Sequence, residues 1–181
     1  GKAMGLAGMG NSGTVLAALF APALAQMFGW NMVLGLACIP LTIVFLVYLL
    51  MAKDAPGAPA PKRLVHYFQP LKTADAWWLM AFYSVTFGGF VGLAASLPIY
   101  FTDQFHLTPV MAGTCTAACV FAGSLVRPMG GALADRIGGV KALMMVFIVA
   151  ALALAAIPQA TALPAALALF VVAMLALGTG N

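Results

Sequence analysis

Gly123-Ser-Leu-Val-Arg127-Pro128-Met-Gly130-Gly131-Ala-Leu-Ala-Asp135-Arg136-Ile-Gly138-Gly139-Val-Lys141 places one arginine inside an apolar run and then turns through a short charged, glycine-rich segment. About 20 apolar residues cross the hydrocarbon core of a bilayer. The run that ends near Asp135 begins near Thr108, so Arg127 lies at membrane depth. An arginine there costs about 2.5–3.5 kcal/mol on insertion scales and roughly 10–17 in simulations of an isolated helix. Such a group persists only where water, a counter-charge or a bound anion meets it. The structural alternative is an arginine that snorkels to the interface or pairs with a carboxylate on another helix. All four carboxylates of the chain, Asp54, Asp75, Asp103 and Asp135, fall at helix ends or in loops, and this favours an anion site.

Composition supports a polytopic membrane protein. Of 181 residues 64% are hydrophobic and 7% charged, with mean hydropathy +1.07, whereas soluble domains carry about 25% charged residues. The net charge of +4 does not point to nucleic acid, because the basic residues flank spans instead of forming one patch. Cys38, Cys115 and Cys119 lie in apolar runs without accompanying histidines and read as packing residues; no metal or cofactor is expected. The chain starts without methionine or signal peptide and stops in apolar sequence, and it reads as a fragment.

Six spans are expected: about Ala3–Ala25, Asn31–Ala52, Ala76–Phe101, Thr108–Asp135, Lys141–Ile157, and a last, incomplete one after a loop around Pro158 and Pro164. Trp77 and Trp78 mark an interface. Gln26–Trp30 and Thr102–Leu107 are expected turns, with Thr108-Pro109 starting a helix. Lys53–Asp75 holds Pro56, Pro59, Pro61 and Pro70 among its charges and reads as a linker between two bundles. The expected domains are therefore 1–52, the linker 53–75, and 76–181. Lys2, Lys53, Lys62, Arg63, Lys72, Arg136 and Lys141 lie on one side, and no basic residue other than His106 lies on the other. That asymmetry makes the linker and the Asp135–Lys141 turn cytoplasmic.

At 1.5 Å per residue, Asn11 lies about 13 Å beyond Lys2, Tyr83 and Phe87 about 12 and 18 Å beyond Asp75, and Arg127 about 12 Å beyond Asp135. An amide, a phenol, an aromatic face and a guanidinium thus reach one level near the midplane, where secondary transporters bind substrate. The first span is glycine-rich, with Gly1, Gly5, Gly8 and Ser12 on one face, so a neighbouring helix can approach closely. Asn11 in that span needs a partner, either another helix or a substrate.

The Gly131–Lys141 segment resembles the signature loop of the major facilitator superfamily, in its copy between helices eight and nine. Ala7-Gly8-Met-Gly10-Asn11-Ser-Gly13 is similar to the nitrate signature on helix five of the nitrate/nitrite porter family. Tyr83-Ser-Val-Thr-Phe87-Gly88-Gly89-Phe90 and Ser124-Leu-Val-Arg127-Pro-Met-Gly130-Gly131 look like that family's helices seven and eight. Leu177-Gly-Thr-Gly180-Asn181 looks like the glycine-rich part of helix ten. The resemblance implies an all-α bundle of which this chain is helices five to ten of twelve. It implies that Arg127 is one of two anion-holding arginines, the other lying on helix two. It further implies that Tyr83 donates a hydrogen bond, that Phe87 packs on the planar anion and that Asn11 lines the site. Gly8, Gly10 and Gly13 would be signature glycines, and Gly131, Asp135, Arg136, Gly138 and Gly139 a conformational loop. The signature's later basic position is thinly filled, by Lys141.

The expected function is transport of nitrate and/or nitrite across the bacterial cytoplasmic membrane by alternating access, by a protein monomeric when full length. A guanidinium fork suits such planar anions. Neither His66 nor His106 falls in a span, so no proton carrier is at depth and exchange is favoured over proton-coupled uptake. A carrier of another small anion, such as a short carboxylate, and a membrane anion sensor are the alternatives. An enzyme would need a nucleophile–base pair or metal ligands at one depth, and none is visible.

Overall fold

The computed structural model describes residues 8–53 and 67–181, which hold helices and no strand. A 3-10 turn, Met9–Ser12, leads into α1, Gly13–Phe28. Then follow α2, Trp30–Leu36; α3, Cys38–Met51; a 3-10 turn Gln69–Lys72; and α4, Ala74–Phe105. The remaining helices are α5, Pro109–Leu125; α6, Arg127–Ile137; α7, Gly139–Ala156; and α8, Leu163–Thr179. Five stretches are long and apolar enough to cross a membrane: Gly10–Phe28, Trp30–Met51, Ala74–Phe105, Pro109–Ile137 and Gly139–Gln159, with Leu163–Thr179 shorter. The chain is an all-α, multi-pass membrane protein.

The helix ends follow local chemistry. Gly29 at φ 81° alone separates α1 from α2, narrowing the turn expected over Gln26–Trp30. A turn at Ala37 divides the second span three residues before Pro40, whose missing N–H leaves the Leu36 carbonyl without its helical donor. The Thr108 hydroxyl accepts from the Met111 amide at 3.4 Å, with Pro109 in the first turn of α5. Gly138 at φ 91° closes α6 and opens α7.

Two expectations are corrected. Thr102–Phe105 is not loop but the last turn of α4, because Phe105 packs 6.1 Å from Tyr100 and 6.5 Å from Phe101. Their apolar contact outweighs the polar Thr-Asp-Gln sequence, and His106 at φ 52° makes the turn. Pro164 sits in the first turn of α8 and not in the loop before it, a position where its missing N–H costs nothing.

The chain forms two compact units, Gly1–Ala23 with Ala81–Asn181, and Leu24–Met80. The boundaries fall inside α1 and α4; residues 54–66 of the expected linker lie outside the described ones. In the second unit the Trp77 indole donates to the Leu71 carbonyl at 2.9 Å, an amphipathic anchor at the foot of α4. In α3, Leu41, Val44 and Leu50 are exposed, an apolar surface suited to lipid or further helices.

The first unit is held by small residues at helix crossings. Pro22 in α1 leaves the Ala18 carbonyl unpaired in its own helix, and α5 fits into that notch with a glycine. A Cβ on Gly113 would strike the Ala18 oxygen and lie 2.9 Å from Pro22 Cγ. At this crossing the close approach is made by a glycine of α5; of the glycine face expected in the first span, Gly1 and Gly5 lie outside the described residues and Gly8 lies against Arg127, while Gly10 and Gly13, off that face, meet nothing within 4 Å among the described residues. Between α5 and α8, Gly178 abuts the Gly123 carbonyl backbone to backbone, and a Cβ on Gly123 would sit 2.5 Å from the Met174 carbonyl oxygen. Beyond this seam Phe101 and Phe170 meet edge to face at 5.7 Å.

The charge asymmetry makes a topology prediction. In the full-length protein, a cysteine introduced at Ala58 should react with a membrane-impermeant maleimide only from the cytoplasmic side, and one at Gln104 only from outside. The reverse pattern would invert the orientation.

Candidate functional site

Arg127 opens α6 directly after the turn at Val126, and Pro128 follows it. Proline lacks an N–H, so the Ser124 carbonyl loses its helical partner there. The Arg127 side chain is 5% exposed, inside the first unit. Burial of a cation in a span requires partners, and three neighbours provide them.

The first is Asn11, in the 3-10 turn before α1. With its amide oxygen toward the guanidinium, Asn11 accepts from Nη1 at 3.2 Å and from Nη2 at 2.9 Å. The opposite orientation would set donors against donors. The Asn11 backbone is itself held, its carbonyl accepting from the Thr14 hydroxyl at 2.6 Å. The second neighbour is Gly8: a Cβ there would lie 3.2 Å from both Cδ and Nη1 of Arg127, so the arginine rests against bare backbone. The third is Phe90, whose ring centroid is 4.9 Å from the Arg127 Cζ. A cation over an aromatic face gains about 0.5–2 kcal/mol without any hydrogen bond being used. Gly123 makes room for that ring, since a Cβ there would lie 2.6 Å from Phe90 Cε2.

The guanidinium is not exhausted by these contacts. Arg127 Nε is buried and has no hydrogen-bond partner among the described residues, and neither does the hydroxyl of Ser124. No carboxylate lies in a span interior among the described residues: Asp75 opens α4, Asp103 is in its last turn, and Asp135 is in the last turn of α6. From Arg127 a cleft of about 250 Å³ runs between α6, α7 and α8, past Gly130, Ala134, Gly139, Thr179 and Asn181. The site therefore offers a fork with a spare donor, an apolar backing and a small vestibule, and that suits a small anion.

The structure brings Arg127, Asn11 and Gly8 together. Tyr83 and Phe87, one turn apart on α4, stack on each other with centroids 5.3 Å apart and planes within 7°. Tyr83 is 55% exposed. Gly138 and Gly139 form the elbow between α6 and α7; Arg136 and Asp135 lie in the turn before it, and Gly131 lines the cleft. Sequence reasoning missed Phe90, although it shares a helix face with Tyr83 and Phe87 at i+7 and i+3. It also missed Thr86, buried on α4 and 3.3 Å from Asn181 Oδ1, while Asn181 Nδ2 donates to the Leu177 carbonyl at 3.1 Å. An amide within a glycine-rich run was the available signal for Asn181, as it was for Asn11.

The described residues thus form a multi-pass helical membrane protein with a buried cation beside an internal cleft. The chain belongs to the Major Facilitator Superfamily, whose sequence profile matches residues 1–181. It is similar to the nitrite extrusion protein of Bacillus subtilis, 32% identical over 81% of this chain and 37% of that protein. The probable nitrate/nitrite transporter NarK2 of Mycobacterium tuberculosis is 35% identical over 76% of this chain and 35% of its own length. The probable nitrate/nitrite antiporter NarK1 of Thermus thermophilus is 32% identical over 81% and 36%. The chain thus spans somewhat over a third of the length of these relatives, which are transporters and not enzymes. No solved structure matches the chain.

Proposed function

We propose that this chain contributes helices five to ten of a secondary transporter that exchanges nitrate and nitrite across the bacterial cytoplasmic membrane, with 1–52 and 76–181 belonging to opposite bundles. One observation carries the reading: a guanidinium 5% exposed inside a span, whose partner Asn11 is neutral and whose Nε is left without an acceptor among the described residues. A planar oxyanion supplies both the missing charge and the missing acceptor. The relatives' names support nitrate and nitrite as the anions, and Tyr83 and Phe87 are assigned to the same site.

Exchange follows from the cost of closing an empty site. A second arginine, as the resemblance implies on helix two, would face Arg127 across the substrate. At about 6 Å and an effective dielectric near 20 the two would repel by roughly 3 kcal/mol before desolvation. A bound anion offsets both terms, so the loaded carrier rocks and the empty one stalls. Proteoliposomes of the full-length protein preloaded with nitrite are expected to take up labelled nitrate at least tenfold faster, roughly the rate equivalent of 1.4 kcal/mol, than empty ones. Equal filling of empty vesicles under a proton gradient would replace exchange with proton-coupled uptake.

A further inference from the structure

We propose that Asn11 is an exchangeable inner ligand of Arg127 and through this sets which anions the carrier accepts. In the empty carrier its amide oxygen occupies the guanidinium fork; once an anion takes the fork, the amide turns and its NH2 donates to that anion. The inference rests on the anion-site reading above but makes a separate claim about the empty protein.

The geometry argues for displacement. A single amide oxygen is shared by two N–H groups at 3.2 and 2.9 Å, whereas an oxyanion presents two oxygens, one for each. The amide meets the guanidinium only as a neutral acceptor, whereas an anion adds charge–charge attraction to the same two bonds, so the anion wins the fork. The amide is neutral, so Arg127 keeps its full charge for attracting the anion from the cleft. A carboxylate in the same place would satisfy the fork permanently. Asn11 is also built to turn: its backbone is fixed in the 3-10 segment by the Thr14 and Gly13 bonds to its carbonyl, leaving only side-chain torsions free. The guanidinium plane need not move with it. Phe90 holds one face, and Gly8 brings bare backbone against Cδ and Nη1. The unpartnered Nε offers a further donor to an anion with an additional oxygen. The ligands that fit are small planar monoanions with at least two oxygens on one edge. The amide's two ends make it suited to both states, since it has an acceptor for the cation and a donor for the anion.

The test uses the full-length carrier, purified free of nitrate and nitrite, with thermal unfolding followed alone and with excess sodium nitrate, sodium chloride serving as the ionic control. Without anion the unfolding midpoint should rank Asn11→Asp above wild type and wild type above Asn11→Ala. Nitrate should raise the midpoint of wild type and of Asn11→Ala. It should leave Asn11→Asp unmoved, with nitrate affinity there lowered roughly 30-fold or more. In an Arg127→Met background, Asn11→Ala should no longer lower the anion-free midpoint, because the partner is gone. Wild-type nitrate affinity in Asn11→Asp overturns the proposal. So does an unchanged anion-free midpoint in Asn11→Ala, or the same loss in the Arg127→Met background; these two arms decide the matter if Asn11→Asp does not fold. A wild-type protein insensitive to nitrate and nitrite would instead sink the proposed substrate, and the anion-free ranking would still judge the inner ligand.

Discussion

Alanine at position 127 is expected to abolish nitrate–nitrite exchange by the full-length carrier, and lysine to leave exchange running at an affinity lower by about 1–3 kcal/mol. The first change removes the buried cation, 5% exposed, that the anion would need. The second keeps the charge but replaces a planar fork by a point charge on a flexible stem. Lysine also gives up the flat contact with Phe90, where Cζ lies 4.9 Å from the ring centroid, and the paired donation to Asn11. Counterflow into nitrite-loaded proteoliposomes measures both, and nitrate titration separates affinity from turnover. Wild-type uptake by Arg127→Ala would remove Arg127 from the site altogether.

Alanine at Gly178 is expected to destabilise the protein by about 3 kcal/mol, at the upper end for overpacking, without touching any group assigned to the anion. The obstacle is the carbonyl of Gly123, a backbone atom that moves only if α5 and α8 separate. Gly123 in turn admits the Phe90 ring, so separating these helices loosens the support under Arg127. Gly180 is the built-in comparison: a Cβ there meets side-chain ends, Thr86 Cγ2 at 2.9 Å and Val146 Cγ1 at 3.0 Å, which can shift by a few tenths of an ångström. Gly180→Ala should therefore cost about 1 kcal/mol. Thermal unfolding of the two variants measures the difference; equal midpoints would mean that the α5–α8 crossing is not held backbone to backbone.

What the sequence reveals follows from which effects are local. Arg127 announces itself because a charge in an apolar run has few physical excuses. Thr108-Pro109 and Gly138 act through their own backbone, and both helix ends fall where their chemistry places them. Residues that act across helices are harder to see. Phe90 has the same spacing logic as Tyr83 and Phe87, and only the tertiary arrangement decides which ring lies under the guanidinium. Gly8, Gly10 and Gly13 read alike as signature glycines, yet of these three only Gly8 meets a neighbour among the described residues, and that neighbour is the arginine. The notch at Pro22 needs both its own freed carbonyl and Gly113 on a helix some 90 residues away. Thr102–Phe105 misled because its polarity is a property of the segment, whereas its helicity depends on where Phe105 packs.

The break at Val126 gives the site a fulcrum. Arg127 is the first residue of α6, and the Ser124 carbonyl beside it lacks its hydrogen bond because Pro128 has no N–H to give. Bending of this span concentrates where the ladder is already open, so the guanidinium sits at the axle while the far end of α6 travels. Over eleven residues, about 16 Å, a swing of about 10° carries Ile137 roughly 3 Å yet leaves the arginine nearly still. The elbow at Gly138 would move like the rim of a wheel, and an ion held at Arg127 would feel little more than a rotation in place.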